Sequence, residues 1–79
     1  MQPELKKPIL EYVLGQRKKL EIVGPPIVIA TIYEAAESSA LLLSALREEK
    51  DAETVRSLMD RRKTAALRFK KITGEDWDI

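Results

Sequence analysis

The chain contains no cysteine and no histidine among its 79 residues. Without cysteine it can form neither a disulfide nor a thiolate site, and without histidine a zinc or transition-metal site would have to be built from carboxylates alone. The same absences exclude the commonest catalytic pairs, which join a cysteine or serine nucleophile to a histidine base. The sequence therefore predicts no cofactor, no metal site and no enzymatic activity.

Long uninterrupted apolar runs are also missing. The most hydrophobic stretch, residues 27–46, carries Glu34 and Glu37 in its middle, whereas a membrane span needs roughly 18 or more apolar residues with few or no charges. The first residues hold Glu11 within a broken apolar stretch and lack a small-residue cleavage site, so they do not resemble a secretory signal. We expect a cytoplasmic protein that does not interact with membranes.

The chain has room for one domain, predicted over residues 1–79, and such small domains bury only about 60% of their unfolded surface. Without disulfide or metal, stability must come from regular helices or a partner copy. Helix-breaking residues cluster at Pro3, Pro8, Gly15 and residues 24–26, and none follows before Gly74. This punctuation predicts a short first helix over about 6–21, a loop over 22–26, and a helical region after it.

Two apolar seams in the breaker-free region predict a helical hairpin. With spacings of 3, 4, 3, 4 and 3, the first comprises Ile29, Ile32, Ala36, Ser39, Leu43 and Leu46, and the second Val55, Leu58, Arg62, Ala65, Phe69 and Ile72. In one continuous helix the seams would lie on opposite sides, because nine residues separate them. We therefore predict helices over about 26–48 and 52–73, a turn over 49–51, and an acidic tail over 74–79. Asp51 is the expected N-cap and Gly74 the expected C-cap.

Antiparallel pairing of the seams places Ser39 opposite Arg62, between layers of apolar residues. A guanidinium in a seam is costly unless it is paired, and the small Ser39 leaves room for a carboxylate, a water or a ligand. The favoured interpretation is a buried polar layer that fixes register and oligomeric state. The alternative is an anion or small-ligand pocket, or a small electrostatic enzyme, at the same layer.

The predicted second helix has an apolar arc of roughly 180°, wider than the 100° or so that a surface helix needs. Val28, Ala35 and Leu42 extend it on one flank, and Tyr33 and Ala40 on the other. The first helix can cover one flank of this arc. We expect a second copy to cover the rest, so that the three-helix chain forms a homodimer, or helical bundle, through the second helix.

Positive charge is concentrated on the predicted third helix, where residues 51–73 hold seven basic and three acidic residues. Two stripes recur every seven residues, one formed by Arg56, Lys63 and Lys70 and the other by Arg61 and Arg68. Such stripes can contact phosphates, and they are also typical of a solvated helical face. These five residues are the candidate contacts for a partner protein or a nucleic acid.

The tail holds the only tryptophan of the chain, Trp77. It can fold back and cap the open end of the bundle beside Ile29 and Ile72, or it can present an acidic and aromatic peptide to a partner. The sequence as a whole favours a non-enzymatic binding protein that acts through protein–protein interaction, as an adaptor, an inhibitor or a regulatory subunit. Nucleic-acid binding through the basic stripes is the alternative.

Overall fold

A computed structural model of the chain describes residues 3–79, and Met1 and Gln2 of the predicted domain lie outside this range. Within it the chain forms three α-helices and no strand. The helices are α1 (Pro3–Val13), α2 (Pro26–Arg47) and α3 (Ala52–Thr73). The all-helical prediction is confirmed, and the bounds of α2 and α3 match the expected ranges to within one residue.

The first helix ends much earlier than predicted, at Val13 instead of residue 21. Gly15 adopts a left-handed φ of 93°, its N–H donates to the Tyr12 carbonyl, and the N–H of Gln16 donates to the Glu11 carbonyl. This pair of hydrogen bonds is the Schellman motif that closes a helix. Leu20 fits the apolar periodicity because its side chain is buried. It reaches the core from a segment of irregular backbone and not from a continued helix.

The turn between α2 and α3 is closed by local hydrogen bonds. Glu49 has a left-handed φ of 54°, and the N–H groups of Glu49 and Lys50 donate to the carbonyls of Leu46 and Ala45. Asp51 is the N-cap of α3, as predicted, and accepts from the Thr54 N–H at 3.4 Å. Gly74 ends α3 with a left-handed φ of 78°.

Helix α2 is the centre of the fold. Both α1 and α3 pack on it, whereas the backbones of α1 and α3 do not meet within residues 3–79. The buried core takes side chains from every part of the chain, including the coil and the tail: Ile9, Val13, Leu20, Ile32, Ala35, Ala36, Ala65, Phe69 and Trp77. The wide apolar arc of α2 is therefore covered to a large extent within one chain.

The predicted seams are confirmed on α3 and need a correction on α2. All six seam positions of α3 are buried or half-buried, and so are five of those on α2, but Leu46 is 54% exposed. Three small residues spaced by seven, Thr31, Ser38 and Ala45, are buried instead on the side of α2 that carries the contacts to α3. Because these side chains are small, α3 can approach α2 closely. The buried face of α2 is therefore turned toward these three residues and away from Leu46.

By length and composition alone, α2 is long and apolar enough to cross a membrane. It has 22 residues, and an 18-residue window within it has a mean hydropathy of 1.4. The expectation that no segment reaches this threshold is therefore wrong. The core helix of a small bundle has the same length and hydropathy, so the feature is weak evidence for a membrane span. Both carboxylates that interrupt the stretch have partners inside the fold, described below.

Candidate functional site

A shallow groove runs between α2 and α3 on the side away from α1. It consists of two hollows, of about 540 and 490 Å³, which share Ala30 and Arg68. We call it the α2–α3 groove. Its apolar lining residues are Ile27, Ala30, Ala65 and Ile72, and its polar and charged ones are Thr31, Glu34, Asp60, Arg61, Thr64, Arg68 and Lys71.

The groove has an ion pair toward one end and cations without an ion-pair partner in the described chain toward the other. Glu34 binds the Arg61 guanidinium through two hydrogen bonds, Nε to Oε1 at 3.0 Å and Nη2 to Oε2 at 3.3 Å. These hydrogen bonds raise the pKa of Arg61, so the guanidinium keeps its positive charge beside Glu34. Toward the other end, Arg68 and Lys71 form no ion pair with any residue of 3–79. That end of the groove presents positive charge beside the exposed Ile27.

The structure separates the two predicted basic stripes. Arg61 and Arg68 line the α2–α3 groove, while Arg56, Lys63 and Lys70 are exposed on a different side of α3. The reason is helical geometry, since positions two apart, such as 61 and 63, differ by about 200° around the axis. Lys70 is paired with Asp76 at 3.0 Å. The five candidate residues therefore do not form one continuous basic surface.

The predicted polar layer is present, but its two members do not pair with each other. Ser39 Oγ accepts a hydrogen bond from the Trp77 indole Nε1 at 3.0 Å, and Arg62 Nη2 donates to the Ile79 carbonyl oxygen at 2.9 Å. The tail thus occupies the place that the sequence analysis assigned to a carboxylate, a water or a ligand. Small residues at this layer, Ala36, Ser39 and Ala65, leave the volume that the indole fills.

Trp77 does not cap the end of the bundle beside Ile29 and Ile72. Its ring packs edge-on against Phe69, with centroids 5.2 Å apart and planes at 71°, and only 7% of the residue is exposed. The tail reaches this position by running back between α1 and α3, where Asp78 accepts from Lys6 Nζ at 2.8 Å. That hydrogen bond lowers the pKa of Asp78. We call this place, formed by Lys6, Ser39, Arg62 and Phe69, the tail slot.

The same end of the bundle holds a hollow of about 290 Å³, which neither Ile29 nor Ile72 lines. Its lining includes Leu5, Val28, Ile32 and Phe69, together with the coil residues 22–25. The sequence pattern did not distinguish this end from the middle, because both offer an unfilled apolar layer. The signal that marks the middle is the run of small residues facing one another, which predicts a gap of indole size.

Two tyrosines attach the first part of the chain to α2. The Tyr12 hydroxyl donates to Glu37 Oε2, and the Tyr33 hydroxyl donates to the Leu20 carbonyl. The bond to Glu37, together with partial burial and the negative charge of Glu37, raises the pKa of Tyr12. Glu34 and Glu37 are thus each engaged by a structural partner. No group of three potential metal ligands occurs within residues 3–79.

Comparison of this chain with models of protein families, with curated proteins and with solved structures found no match.

Proposed function

We propose that the chain is a non-enzymatic binding protein that acts through protein–protein interaction, as an adaptor, an inhibitor or a regulatory subunit. Its docking surface is the α2–α3 groove. The observation that carries the proposal is the combination of an exposed apolar lining with cations that have no partner in the described chain. Ile27 is 62% exposed at the lip of the groove, next to Arg68 and Lys71. Exposed apolar area bordered by charge is typical of interaction surfaces.

The shape and charge of the groove fit an acidic amphipathic helix. Residues 60–72 of α3 border it, which at about 1.5 Å per residue gives a length of roughly 18 Å, or about three helical turns. A helix can place an apolar stripe on Ala30, Ala65 and Ile72, as in other helix-in-groove complexes. Carboxylates on its flank would meet Arg68 and Lys71, which increases the association rate and excludes basic partners.

The probe for this proposal is a labelled 12-residue amphipathic helix with a leucine stripe and a glutamate flank, measured by fluorescence anisotropy. Arg68→Glu should weaken its binding about tenfold or more, because it replaces attraction by repulsion at the lip. The matched control is Arg56→Glu, which changes the charge equally at an α3 position that does not line the groove and should change affinity less than about twofold. Equal losses in both variants, or equal binding of a scrambled peptide, would show general charge attraction and contradict the groove.

Nucleic-acid binding stays an alternative prediction, and the same variants separate it from the first. Arg61 and Lys70 are already bound by Glu34 and Asp76, which leaves Arg56, Lys63 and Arg68 for phosphate contacts. Phosphate contacts would give an affinity for a single-stranded oligonucleotide that falls steeply with salt. Loss of that affinity in Arg56→Glu and Arg68→Glu alike would favour this alternative over the groove.

The homodimer through α2 also stays a prediction. It was inferred from the width of the apolar arc, much of which α1, α3 and the tail cover in one chain. The apolar surface of α2 that remains is centred on Ile27 and Ala30, with Leu41 half-buried on the same side. Sedimentation at micromolar concentration distinguishes the outcomes, because a dimer through this face would dissociate in Ala30→Glu and a monomer would not change.

A further inference from the structure

The tail is held in its slot by side chains and not by backbone pairing. Residues 75–79 are irregular, and none of them makes a backbone–backbone hydrogen bond within the described chain. Trp77 supplies the buried contact, with its ring against Phe69 and its N–H on Ser39. Further contacts include the half-exposed ion pair of Asp78 with Lys6, the exposed ion pair of Asp76 with Lys70, and the bond from Arg62 to the Ile79 carbonyl.

The walls of the slot belong to the three helices and not to the tail. Ser39 is 2% exposed, and its hydroxyl faces the indole from α2. Phe69 lines the slot from α3, where Arg62 also lies, and Lys6 comes from α1. The site therefore offers a buried hydrogen-bond acceptor, an aromatic wall and two cations in fixed positions.

We propose that the tail slot is a peptide-binding site for a partner protein, and that it recognises an extended segment with a tryptophan followed by a carboxylate and an aliphatic residue. In the structure the slot is filled by the chain's own residues Trp77, Asp78 and Ile79. Their contacts show which features a bound segment needs. The indole fills the space over Ser39, the next carboxylate pairs with Lys6, and a backbone carbonyl accepts from Arg62. This site is separate from the α2–α3 groove and does not depend on it.

A partner segment has to displace the resident tail. A short connection within one chain, such as residues 74–76, gives an effective concentration in the millimolar range. A tail that is docked most of the time must therefore bind its slot with a dissociation constant below about 1 mM as a separate peptide. This sets the concentration range in which the site can be tested.

The test uses the full-length Trp77→Ala chain and a six-residue peptide with the sequence of residues 74–79. Trp77 is the only tryptophan of the chain, so all tryptophan fluorescence in the mixture comes from the peptide. We expect its emission to shift to shorter wavelength and its anisotropy to rise, with saturation below about 1 mM. The intact chain, whose slot is filled, should bind a dye-labelled form of the same peptide at least about fivefold more weakly.

The specificity of the site is tested with Lys6→Glu in the Trp77→Ala background. This change should weaken peptide binding several-fold, whereas Lys7→Glu, a neighbouring exposed lysine, should leave it within about twofold. A peptide with both aspartates replaced by lysine should not bind. If Trp77→Ala fails to fold, Trp77→Phe replaces it, because phenylalanine keeps the ring contact but loses the hydrogen bond to Ser39.

A cooperatively folded Trp77→Ala chain that leaves the peptide fluorescence unchanged at about 1 mM would overturn the proposal. Equal effects of Lys6→Glu and Lys7→Glu would also overturn it, since binding would then follow overall charge. An intact chain that sediments as a dimer, and a Trp77→Ala chain that does not, would show that the occupant is the tail of a second copy. That result would contradict a partner protein as the ligand.

Discussion

The indole N–H of Trp77 donates a hydrogen bond to the hydroxyl of Ser39 at 3.0 Å, which joins the tail to the middle of α2 across 38 residues of sequence. Both residues are buried, and within residues 3–79 this is the side-chain hydrogen bond that the two groups make. An unpaired donor or acceptor in such a place would carry its full desolvation cost. The bond therefore selects where along the hairpin the tail docks.

A double-mutant cycle on this pair should show strong coupling. Ser39→Ala leaves the buried indole N–H without an acceptor and should reduce the free energy of unfolding by about 1–3 kcal/mol. Trp77→Phe removes the donor, and in its presence Ser39→Ala should cost much less, because a hydroxyl without a partner is removed. Urea denaturation of the four chains measures the coupling. Ser57→Ala, on the exposed side of α3, is the matched control; strictly additive losses at 39 and 77 would contradict the bond.

The sequence was sufficient to predict the thin waist of the hairpin but not what fills it. Ala36, Ser39 and Ala65 follow from the heptad spacing, and so does the placement of Arg62 beside them. The side chain that fills the waist comes from the tail, residues 75–79, whose sequence has no periodicity. The position of the tail depends on the space between α2 and α3 and on a hydrogen bond to α2, and both exist only where the two helices are packed. Periodic patterns report the faces of helices, so a contact between a helix and an irregular tail has no sequence period to reveal it.

Glu49→Gly should stabilise the protein. Glu49 holds a left-handed φ of 54° at the end of α2, a conformation that costs a residue with a Cβ about 1 kcal/mol and glycine almost nothing. We expect the free energy of unfolding to rise by about 1 kcal/mol, or Tm by about 4–8 °C for a domain of this size. Thermal denaturation monitored by circular dichroism measures it.

Glu48→Gly is the control for this prediction. Glu48 has a φ of −86°, which any residue adopts, so glycine there should be neutral or destabilising through added freedom of the unfolded chain. Equal Tm values for the two variants would argue against a left-handed Glu49.

The helix ends explain why two of the three helices were predicted well and the first was not. Asp51 and Gly74 are residue types that predict an end by themselves, and the structure places them there. Gly15 is also a residue type that can end a helix, but the predicted first helix runs past it because the apolar residues after it keep the helical spacing as far as Leu20. A glycine can lower helix stability or end a helix, and tertiary contacts such as the Tyr33 bond to the Leu20 carbonyl decide between the two.

Asp51→Asn should reduce the acid sensitivity of the fold. The hydrogen bond from the Thr54 hydroxyl, at 2.6 Å, lowers the pKa of Asp51 below its ordinary value of 3.8. The carboxylate therefore contributes stability above that pH, and the contribution is lost as the pH falls through the lower folded-state pKa. Asparagine also caps helices well, so the variant should keep nearly the same Tm at neutral pH and lose less of it under acid. Melts from pH 7 to about pH 3 compare the two chains, with Asp60→Asn as the control; parallel curves for all three would contradict the cap.

Tyr12 should titrate at higher pH than an ordinary tyrosine because of its bond to Glu37. The carboxylate accepts a hydrogen bond from the Tyr12 hydroxyl, and this bond, with partial burial and the charge of Glu37, raises the Tyr12 pKa above 10.0. The folded chain thus holds the proton more tightly than the unfolded one, so the stability gained is present below pH 10 and is lost as the pH rises through the folded-state pKa. Glu37→Gln removes the charge and weakens the bond, so it should return the pKa toward 10.0 and detach α1 from α2 more easily.

The ultraviolet absorbance of tyrosinate, taken as the difference between each chain and its Tyr12→Phe counterpart, measures the pKa. Glu34→Gln, which removes the same charge one helical turn away and alters the bond to Arg61, is the matched control. A Tyr12 pKa that moves equally in both variants would show that overall negative charge, and not the bond to Glu37, causes the shift.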